Sequence, residues 1–401
     1  LRLASVTSSI IELGSGNRSP SHVYSSTLKA LEATLASKDI DHSLDVHLTQ
    51  CGFLELLSVT FQHVGKQALK ATISVVSRVL RALVLSCQQV DSTMLDTKDD
   101  LSSLNSVLRN ACRCSCEFLR VIPSDTSRDD VSSMFRGTCL TLFNHPKRKV
   151  YQSAHDGACE LLAMVGPSCH AAVRKDTVKF IDSRLKMALS GKKDNSNIET
   201  ELAQLLEFIN KVVPYLDSLK IGAKLMELIT VNISDLAALK MQAVYMKATK
   251  AQTQEQSETI VMLLKTVMVI LEQDGMSSPQ KEKAMGEFSA RVLATLLQLR
   301  PGIILPSHMD DSEQINANAI LHGSLLIMAC RKLCEYGDST TAGKLFPLTL
   351  QLILKLVLSQ TDAEVAAALS PQMLEFFRVE VTMLEGKDKA NFDECIVKCF
   401  P

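Results

Sequence analysis

The 401-residue sequence predicts an all-α fold, an α-solenoid of HEAT/armadillo-like antiparallel helical hairpins. Composition is the first supporting observation, since 46% of the residues are hydrophobic but only 4% are aromatic, and Trp is absent. Leu, Ala, Val and Ile must therefore fill the core, which suits stacked helices better than a β-sandwich. The other two observations are apolar spacings of three and four residues and a recurring polar turn.

The segment 131–165 shows this pattern most clearly. It contains two amphipathic stretches, VSSMFRGTCLTLF and VYQSAHDGACELLAMV, joined by the polar turn NHPKRK. Pro146 cannot continue the first helix, and Asn144 offers a side-chain oxygen near the start of the second. Because neither helix can bury its apolar stripe alone, the pair is predicted to stack on neighbouring hairpins.

The same periodicity predicts helices along the rest of the chain, beginning with a short apolar remnant at Leu1–Leu13. Ser124, Asp125 and Asp129 are candidate starting residues for the helix after the PSDTSRDD segment. The remaining predicted helices cover 21–35, 44–64, 66–87, 101–121, 169–189, 198–213, 214–231, 236–250 and 348–358, with further helices between 251 and 337. Polar or irregular loops are predicted at 88–100, 190–197 and 301–314.

Three similar turns suggest a repeat. They begin near residues 144, 232 and 360, and NISD at 232–235 is the second of them. Their spacing fits two and three units of roughly 42 to 44 residues, within the HEAT or armadillo range. The chain is therefore predicted to be one continuous solenoid segment, with first hairpins over 1–122, the best-formed repeats over 123–250 and more divergent, acidic repeats over 251–401.

Charge is unevenly distributed although the formal net charge is only −1. Residues 145–193 contain ten Lys and Arg against four Asp and Glu, whereas residues 251–401 contain thirteen against nineteen. This excludes a uniformly basic nucleic-acid binder but leaves a local basic surface possible. The two regions are expected to face different surroundings.

Several features of the sequence concern the cellular compartment of the protein and whether the chain is part of a longer one. No stretch approaches 18 uninterrupted apolar residues, so no membrane span is predicted. Twelve cysteines lie mostly on apolar helix faces, which favours a reducing compartment. The chain starts at Leu1 without a signal pattern, and it is expected to be a segment of a longer protein.

Catalytic motifs are absent from the sequence: it contains no P-loop, dinucleotide-type glycine motif or GxSxG elbow. A non-enzymatic role without a cofactor is therefore predicted. His145, His155 and His170 with Asp156 could suggest a metal or acid–base site. Since His145 and His170 belong to turns at opposite ends of the hairpin, exposed helix-end histidines are the preferred interpretation.

Several cysteines are candidate metal ligands. Cys112, Cys114 and Cys116 form CRCSC, but residues two apart on a helix point about 200° apart, so these three thiols do not converge. Two further pairs share a helical face but lack a third and fourth ligand: Cys330 with Cys334, and Cys395 with Cys399. Buried core residues are the predicted role in each case.

The turn Lys147–Lys149 is the strongest candidate for a binding function. In a solenoid such turns align along one edge or the concave face, so cations of the following repeat could extend it into a basic ridge. That ridge could neutralise phosphates or meet an acidic protein segment, against the plain alternative of a solvated turn. Sequence-specific recognition of RNA bases is not expected, because the chain lacks aromatic side chains placed for bases to stack on. The predicted partner- or RNA-binding residues are His145, Lys147, Arg148, Lys149, Arg174, Lys175, Lys179, Arg184, Lys192 and Lys193.

The stretch HPKRKVYQSAHDGACELL, with its flanking helices, resembles the amino-terminal repeats of the family of the twelfth ribosomal RNA-processing protein. That family comprises large nucleolar HEAT-repeat factors of small-subunit assembly. The resemblance is clearest from Ser21 to Lys250, and LFPLTLQLILKLVLSQTDAEVAAALSPQMLEFF again fits the helix–turn–helix pattern. It is carried by His145, Pro146, Lys147, Lys149, Ala154, Gly157 and Cys159.

The resemblance implies a non-enzymatic scaffold that joins precursor small-subunit particles and supports pre-rRNA processing and nuclear export. It implies a nuclear and nucleolar location with shuttling to the cytoplasm, and pre-rRNA, assembly factors, a Ran-type GTPase and nucleoporins as partners. A general protein-interaction scaffold, karyopherin-like transport receptor or phosphatase regulatory subunit is the alternative. A tubulin-binding array is disfavoured because such arrays place a Trp in a binding turn.

Overall fold

The structure, a computed structural model, describes residues 19–35, 43–90, 98–164, 168–189, 198–245, 250–273, 278–299, 312–358 and 363–380. Within these ranges the regular secondary structure is helical throughout, which confirms the all-α prediction. The α-helices are α1 (Pro20–Ala33), α2 (Leu44–Thr60), α3 (Lys66–Gln89), α4 (Lys98–Val121), α5 (Arg128–Thr138), α6 (Arg148–Ala163), α7 (Ser168–Leu189), α8 (Ile198–Val212), α9 (Ser218–Tyr245), α10 (Lys250–Leu271), α11 (Pro279–Gln298), α12 (Ser312–Tyr336), α13 (Ser339–Leu358) and α14 (Ala363–Glu380).

The chain forms two compact units, Leu1–Ser183 and Arg184–Pro401, with the division inside α7. Short 3-10 helices at Phe61–His63 and Leu140–Leu142 belong to unit 1, and one at Val213–Tyr215 belongs to unit 2. The single continuous solenoid, with divisions after residues 122 and 250, stays a prediction.

Helices of unit 1 alternate between two layers. In the first layer α1 packs on α3 and α3 on α5, and in the second α2 packs on α4 and α4 on α6. The hairpins α1–α2 and α3–α4 join the layers, and the 3-10 helix Leu140–Leu142 contacts both α5 and α6. The helices α1 to α4 thus each pack against a hairpin partner and against the helix two places along, as predicted for a solenoid.

Aromatic side chains fill much of the core of unit 1. The ring of Phe61 lies edge-on to Tyr24 and Phe118, with centroid distances of 5.9 and 5.0 Å. Phe143 makes the same kind of contact with Phe135 at 6.4 Å and with Phe180 at 5.1 Å. Edge-to-face pairs add to the free energy gained from burial. The few aromatics of the chain therefore join successive hairpins.

Unit 2 repeats the two-layer arrangement. One layer contains α8, α10, α12 and α14, each packed on the next, and the other contains α9, α11 and α13. Consecutive helices from α9 to α14 also contact one another across the layers, apart from α10 and α11, which have few or no contacts. The solenoid prediction is therefore confirmed within each unit.

The predicted turn at 232–235 is wrong, because α9 runs without interruption from Ser218 to Tyr245. Asn232 Nδ2 donates to the carbonyl oxygen of Leu228 at 2.8 Å, and Ser234 Oγ donates to that of Thr230 at 3.0 Å. These polar side chains are satisfied by carbonyls one turn back and do not need a turn. The spacing of turns near 144, 232 and 360 consequently does not mark the repeats.

Helix starts also differ in detail from the prediction. Ser127 caps α5, its side chain accepting from the backbone N–H of Asp129 at 3.3 Å, whereas Ser124 and Asp125 lie outside the helix. Lys147, and not Asn144, is the N-cap residue of α6. The predicted helix at 1–13, the loop at 190–197, the turn at 360 and most of the loop at 301–314 lie outside the described residues; positions 312–314 are helical.

Candidate partner-binding groove and basic turn

The second-layer helices of unit 1 line an open polar groove. Side chains of α2, α4 and α6 enclose about 830 Å³. Each of these three helices contributes side chains to the groove. Its charged residues are Arg109, Arg113, Arg120 and Lys149 on the positive side and Glu55, Glu117, Asp156 and Glu160 on the negative side.

Part of this charge is neutralised within the groove. Arg120 bonds to Glu117 on α4 at 3.1 Å and also pairs with Glu160 on α6, so it links two second-layer helices. Arg113 and Lys149 are exposed, and neither has an ion-pair partner among the described residues. The groove therefore offers two available cations beside a neutralised cluster.

The basic turn Lys147–Lys149 stands at the start of α6, with all three side chains exposed. Lys149 also lines the groove. The backbone carbonyl of Lys147 accepts from the N–H groups of Val150 and Tyr151 at 2.9 and 3.3 Å. Cations at a helix N-terminus oppose the helix dipole, so these three do not stabilise α6. Together with the N-terminal dipole they attract an anion.

His145 shapes this turn and does not add a positive charge. Its Nδ1 accepts from the backbone N–H of Lys147 at 3.1 Å. Partial burial lowers the pKa of His145, and the charge of Lys147 acts in the same direction. His145 is therefore neutral at physiological pH and holds Lys147 in place.

The predicted histidine–aspartate group is not assembled into a site. His155 was expected to be exposed but is 1% exposed, and its Nε2 donates to the carbonyl oxygen of Phe143 at 3.2 Å. His170 donates to the carbonyl oxygen of Leu162 at 2.8 Å, while Asp156 faces the groove. The two histidines tie α6 and α7 to adjacent backbone.

Other predicted ridge residues divide into three groups. Arg174, Lys175 and Lys179 are exposed on α7, and Asp176 of the same helix binds Arg136 of α5 at 3.1 Å. Arg184 is engaged with Glu201 at 3.0 Å. Lys192 and Lys193 lie outside the described residues. Six of the predicted residues are thus exposed, in the basic turn and on α7, and the continuous ridge that would join them stays a prediction.

The cysteines of CRCSC are buried, as predicted. The thiol of Cys114 is hydrogen-bonded to Ser58 and does not face the other two thiols. Cys112 and Cys116, one helical turn apart, face Cys139. Sequence reasoning missed Cys139 because it is 23 and 27 positions away from them. Of the other predicted pairs, Cys330 is buried and Cys334 half-buried, and Cys395 and Cys399 lie outside the described residues.

Over the described ranges, no helix combines the length and the apolar character needed to cross a bilayer.

Comparison with known proteins adds little to this geometry. No protein-family model matches the chain, and no curated protein matches it. One similar solved structure is described as a circular tandem repeat protein with novel repeat topology and enhanced subunit contact surfaces. It is 10% identical over 99% of this chain and 87% of that chain, with a TM-score of 0.26. That similarity is too low to carry an argument, so the fold assignment depends on the helix contacts themselves.

Proposed function

We propose that this chain is a non-enzymatic helical-repeat scaffold that binds precursor small-subunit ribosomal particles and supports pre-rRNA processing and nuclear export. The observation that carries the proposal is the basic turn, where three exposed cations surround the N-terminus of α6 at the edge of the groove. The resemblance of the surrounding stretch to a nucleolar HEAT-repeat family supports the same role. Assembly factors, a Ran-type GTPase and nucleoporins are the further partners proposed.

Phosphate is the ligand that best matches the basic turn. Lys147, Arg148 and Lys149 have no ion-pair partner among the described residues, so their charges are available to a ligand. The helix dipole of α6 adds a positive partial charge at the same place. Cations on flexible side chains contact the RNA backbone without selecting bases. The turn therefore contributes salt-dependent binding to structured RNA in a particle.

A protein-interaction scaffold is the second candidate, and the groove favours it. Four positive and four negative side chains line the groove, so its field has no single sign. A nucleic-acid channel would carry a clear positive excess. An extended protein segment with charges of both signs matches such a surface, so the groove and the basic turn serve different partners in one scaffold.

Charge reversal at the basic turn tests the RNA contact. The variant Lys147→Glu, Arg148→Glu, Lys149→Glu is compared with wild type for binding to precursor small-subunit rRNA at several salt concentrations. We expect weaker binding and a shallower salt dependence, because each lost phosphate contact reduces the slope of log K against log salt by about 0.7 to 0.9. Sedimentation of the same variant with small-subunit precursors should fall in parallel.

The matched control reverses the same number of charges on the first layer of unit 1. Lys29→Glu, Lys66→Glu and Arg128→Glu change exposed residues of α1, α3 and α5. This control should retain wild-type RNA affinity and slope. Equal binding of the basic-turn variant and wild type at every salt concentration would refute the phosphate contact. Retained binding to assembly factors alone would favour the protein-interaction scaffold.

A further inference from the structure

Three buried cysteines from two helices of unit 1 meet at one point. Cys112 and Cys116 lie one turn apart on the same face of α4, and Cys139 follows the last residue of α5. The Sγ atom of Cys139 is 3.6 Å from the Sγ atoms of both Cys112 and Cys116. All three sulfur atoms lie within 4.8 Å of one another. These residues form the thiol triad.

The triad is almost completely buried, and only Cys116 reaches the groove. The exposed fractions of Cys112, Cys116 and Cys139 are 0%, 3% and 0%. Helix α6 covers it, because Gly157 has no side chain where a Cβ would lie 2.5 Å from Cys116 Sγ. An ion bound here would therefore be coordinated by protein atoms, without a water ligand.

Ordinary core packing explains Cys114 but not the triad. Cys114 is buried on the same helix with Ser58 as its hydrogen-bond partner, and burial raises the pKa of its thiol to about 12. An isolated buried thiol of this kind stays protonated and behaves as a small apolar side chain. In the triad, three sulfurs converge and hydroxyl groups lie beside them, since Thr138 Oγ1 is 3.7 Å from Cys139 Sγ.

Polar groups from two segments surround the sulfur of Cys139. The sulfurs of Cys112 and Cys116 lie 3.6 Å from it, and Thr138 Oγ1 lies 3.7 Å from it. Three buried thiols within 4.8 Å of one another are the arrangement of a soft-metal ligand set.

We propose that Cys112, Cys116 and Cys139 form a three-coordinate thiolate site for one copper(I) ion. Thiolates select soft ions such as copper(I). A metal–sulfur bond of about 2.3 Å would place three coplanar sulfurs about 4 Å apart, close to the observed separations. Structural zinc needs four ligands in a tetrahedron, and the described residues supply only three thiols here.

Binding of copper(I) at the triad would release protons and would require the buried site to open. Three Cys–SH groups and one Cu⁺ give a tris-thiolate complex of net charge −2 and release three protons. The hydroxyl of Thr138 lies 3.7 Å from the sulfur of Cys139, where it can donate to the thiolate and offset part of that charge. Because the site is buried, the ion enters during folding or local opening. The bound ion then joins α4 to the end of α5.

Copper(I) competition tests the proposal on the whole chain. Anaerobically reduced protein is titrated with copper(I) in the presence of bicinchoninate, a chelator that competes for copper(I). Wild type should retain one copper(I) per chain, and Cys139→Ser should lose at least about tenfold in affinity. Cys114→Ser is the matched control, since it removes a buried thiol of the same helix outside the triad and should bind as wild type does.

Two further measurements keep the outcome decisive if a serine variant fails to fold. X-ray absorption of wild type should show three sulfur neighbours around copper, and bound copper(I) should raise the melting temperature. No retained copper in wild type, a two-sulfur copper centre, or equal retention in folded Cys139→Ser would each overturn the site. One-to-one binding of zinc without copper would overturn the choice of ion.

Discussion

Units 1 and 2 reach the same two-layer arrangement of helices by different packing. In unit 1 the layers are joined by edge-to-face rings around Phe61 and Phe143. In unit 2 several helices approach closely at glycines. A Cβ on Gly286 would lie 2.5 Å from Gly337 Cα, and one on Gly222 would lie 2.8 Å from the ring of Phe288. Unit 1 thus contains two clusters of aromatic rings, and unit 2 contains a place where backbone meets backbone at a glycine.

The difference shows that a helical repeat does not need a fixed core composition. What it needs is a continuous buried stripe and close packing without voids. Aromatic packing tolerates wider spacing between helices, whereas glycine contacts bring the backbones together. The aromatic clusters of unit 1 should consequently be sensitive to lost volume, and the Gly286 contact of unit 2 to added volume.

Removing the ring of Phe143 should have the largest effect. Phe143 is fully buried and its ring contacts Phe135, His155 and Phe180. Phe143→Ala leaves a cavity and should lower the free energy of unfolding by about 4 kcal/mol, measured by urea denaturation. Val59→Ala, at a position 63% exposed, should change it by less than about 0.5 kcal/mol. A loss below about 1 kcal/mol in Phe143→Ala would show that the ring contacts do not hold unit 1 together.

Adding one methyl group to Gly286 should have the next largest effect. The new Cβ would meet Gly337 Cα at 2.5 Å and Tyr336 O at 2.6 Å, and backbone atoms cannot rotate away as a side chain can. Gly286→Ala should lower the free energy of unfolding by about 3 kcal/mol. In the control Gly65→Ala the added Cβ meets nothing within 4 Å, and the loss should stay below about 1 kcal/mol. Equal losses in both variants would refute the close-contact account of unit 2.

A pH response of unit 2 should be the smallest effect. His322 is fully buried, its Nε2 donates to the carbonyl oxygen of Leu296 at 3.0 Å, and burial lowers its pKa. Below about pH 6.5 the unfolded chain binds a proton at this residue and the folded chain does not, so stability falls as pH falls. The slope is at most about 1.4 kcal/mol per pH unit.

The measurement compares urea denaturation of wild type and His322→Gln between pH 7.5 and pH 5. The glutamine variant should lose part of the pH dependence, whereas His63→Gln, at an exposed position, should keep it. An unchanged pH profile in His322→Gln would show that this imidazole does not titrate differently on unfolding.

Local patterns predicted the helices well where apolar spacing was regular. The helix predicted over 66–87 is α3, and its regularly spaced residues Leu69, Ile73, Val76 and Leu80 are all buried. The failure at 232–235 arose because Asn and Ser favour turns in isolation but also bond to carbonyls one turn back inside a helix. Which of these happens depends on whether the flanking apolar residues are buried, and that is a tertiary property.

The candidate site also combines features that local sequence predicts with features that depend on tertiary contacts. Exposure of Lys147, Arg148 and Lys149 could be expected from a polar turn, and the structure places them at a helix N-terminus beside the groove. The pairing of Arg184 with Glu201 could not be predicted, because the two residues lie 17 positions apart on different helices. Binding to ribosomal precursors stays a prediction.

The sequence by itself determined that this chain is helical and that its cations gather after residue 144, because both depend on local composition and period. Only the tertiary structure decided which helices share a layer, where their polar faces form a groove, and that Cys139 meets Cys112 and Cys116. Such contacts join residues distant in sequence, and they are fixed by how stripes of different hairpins fit together when packed.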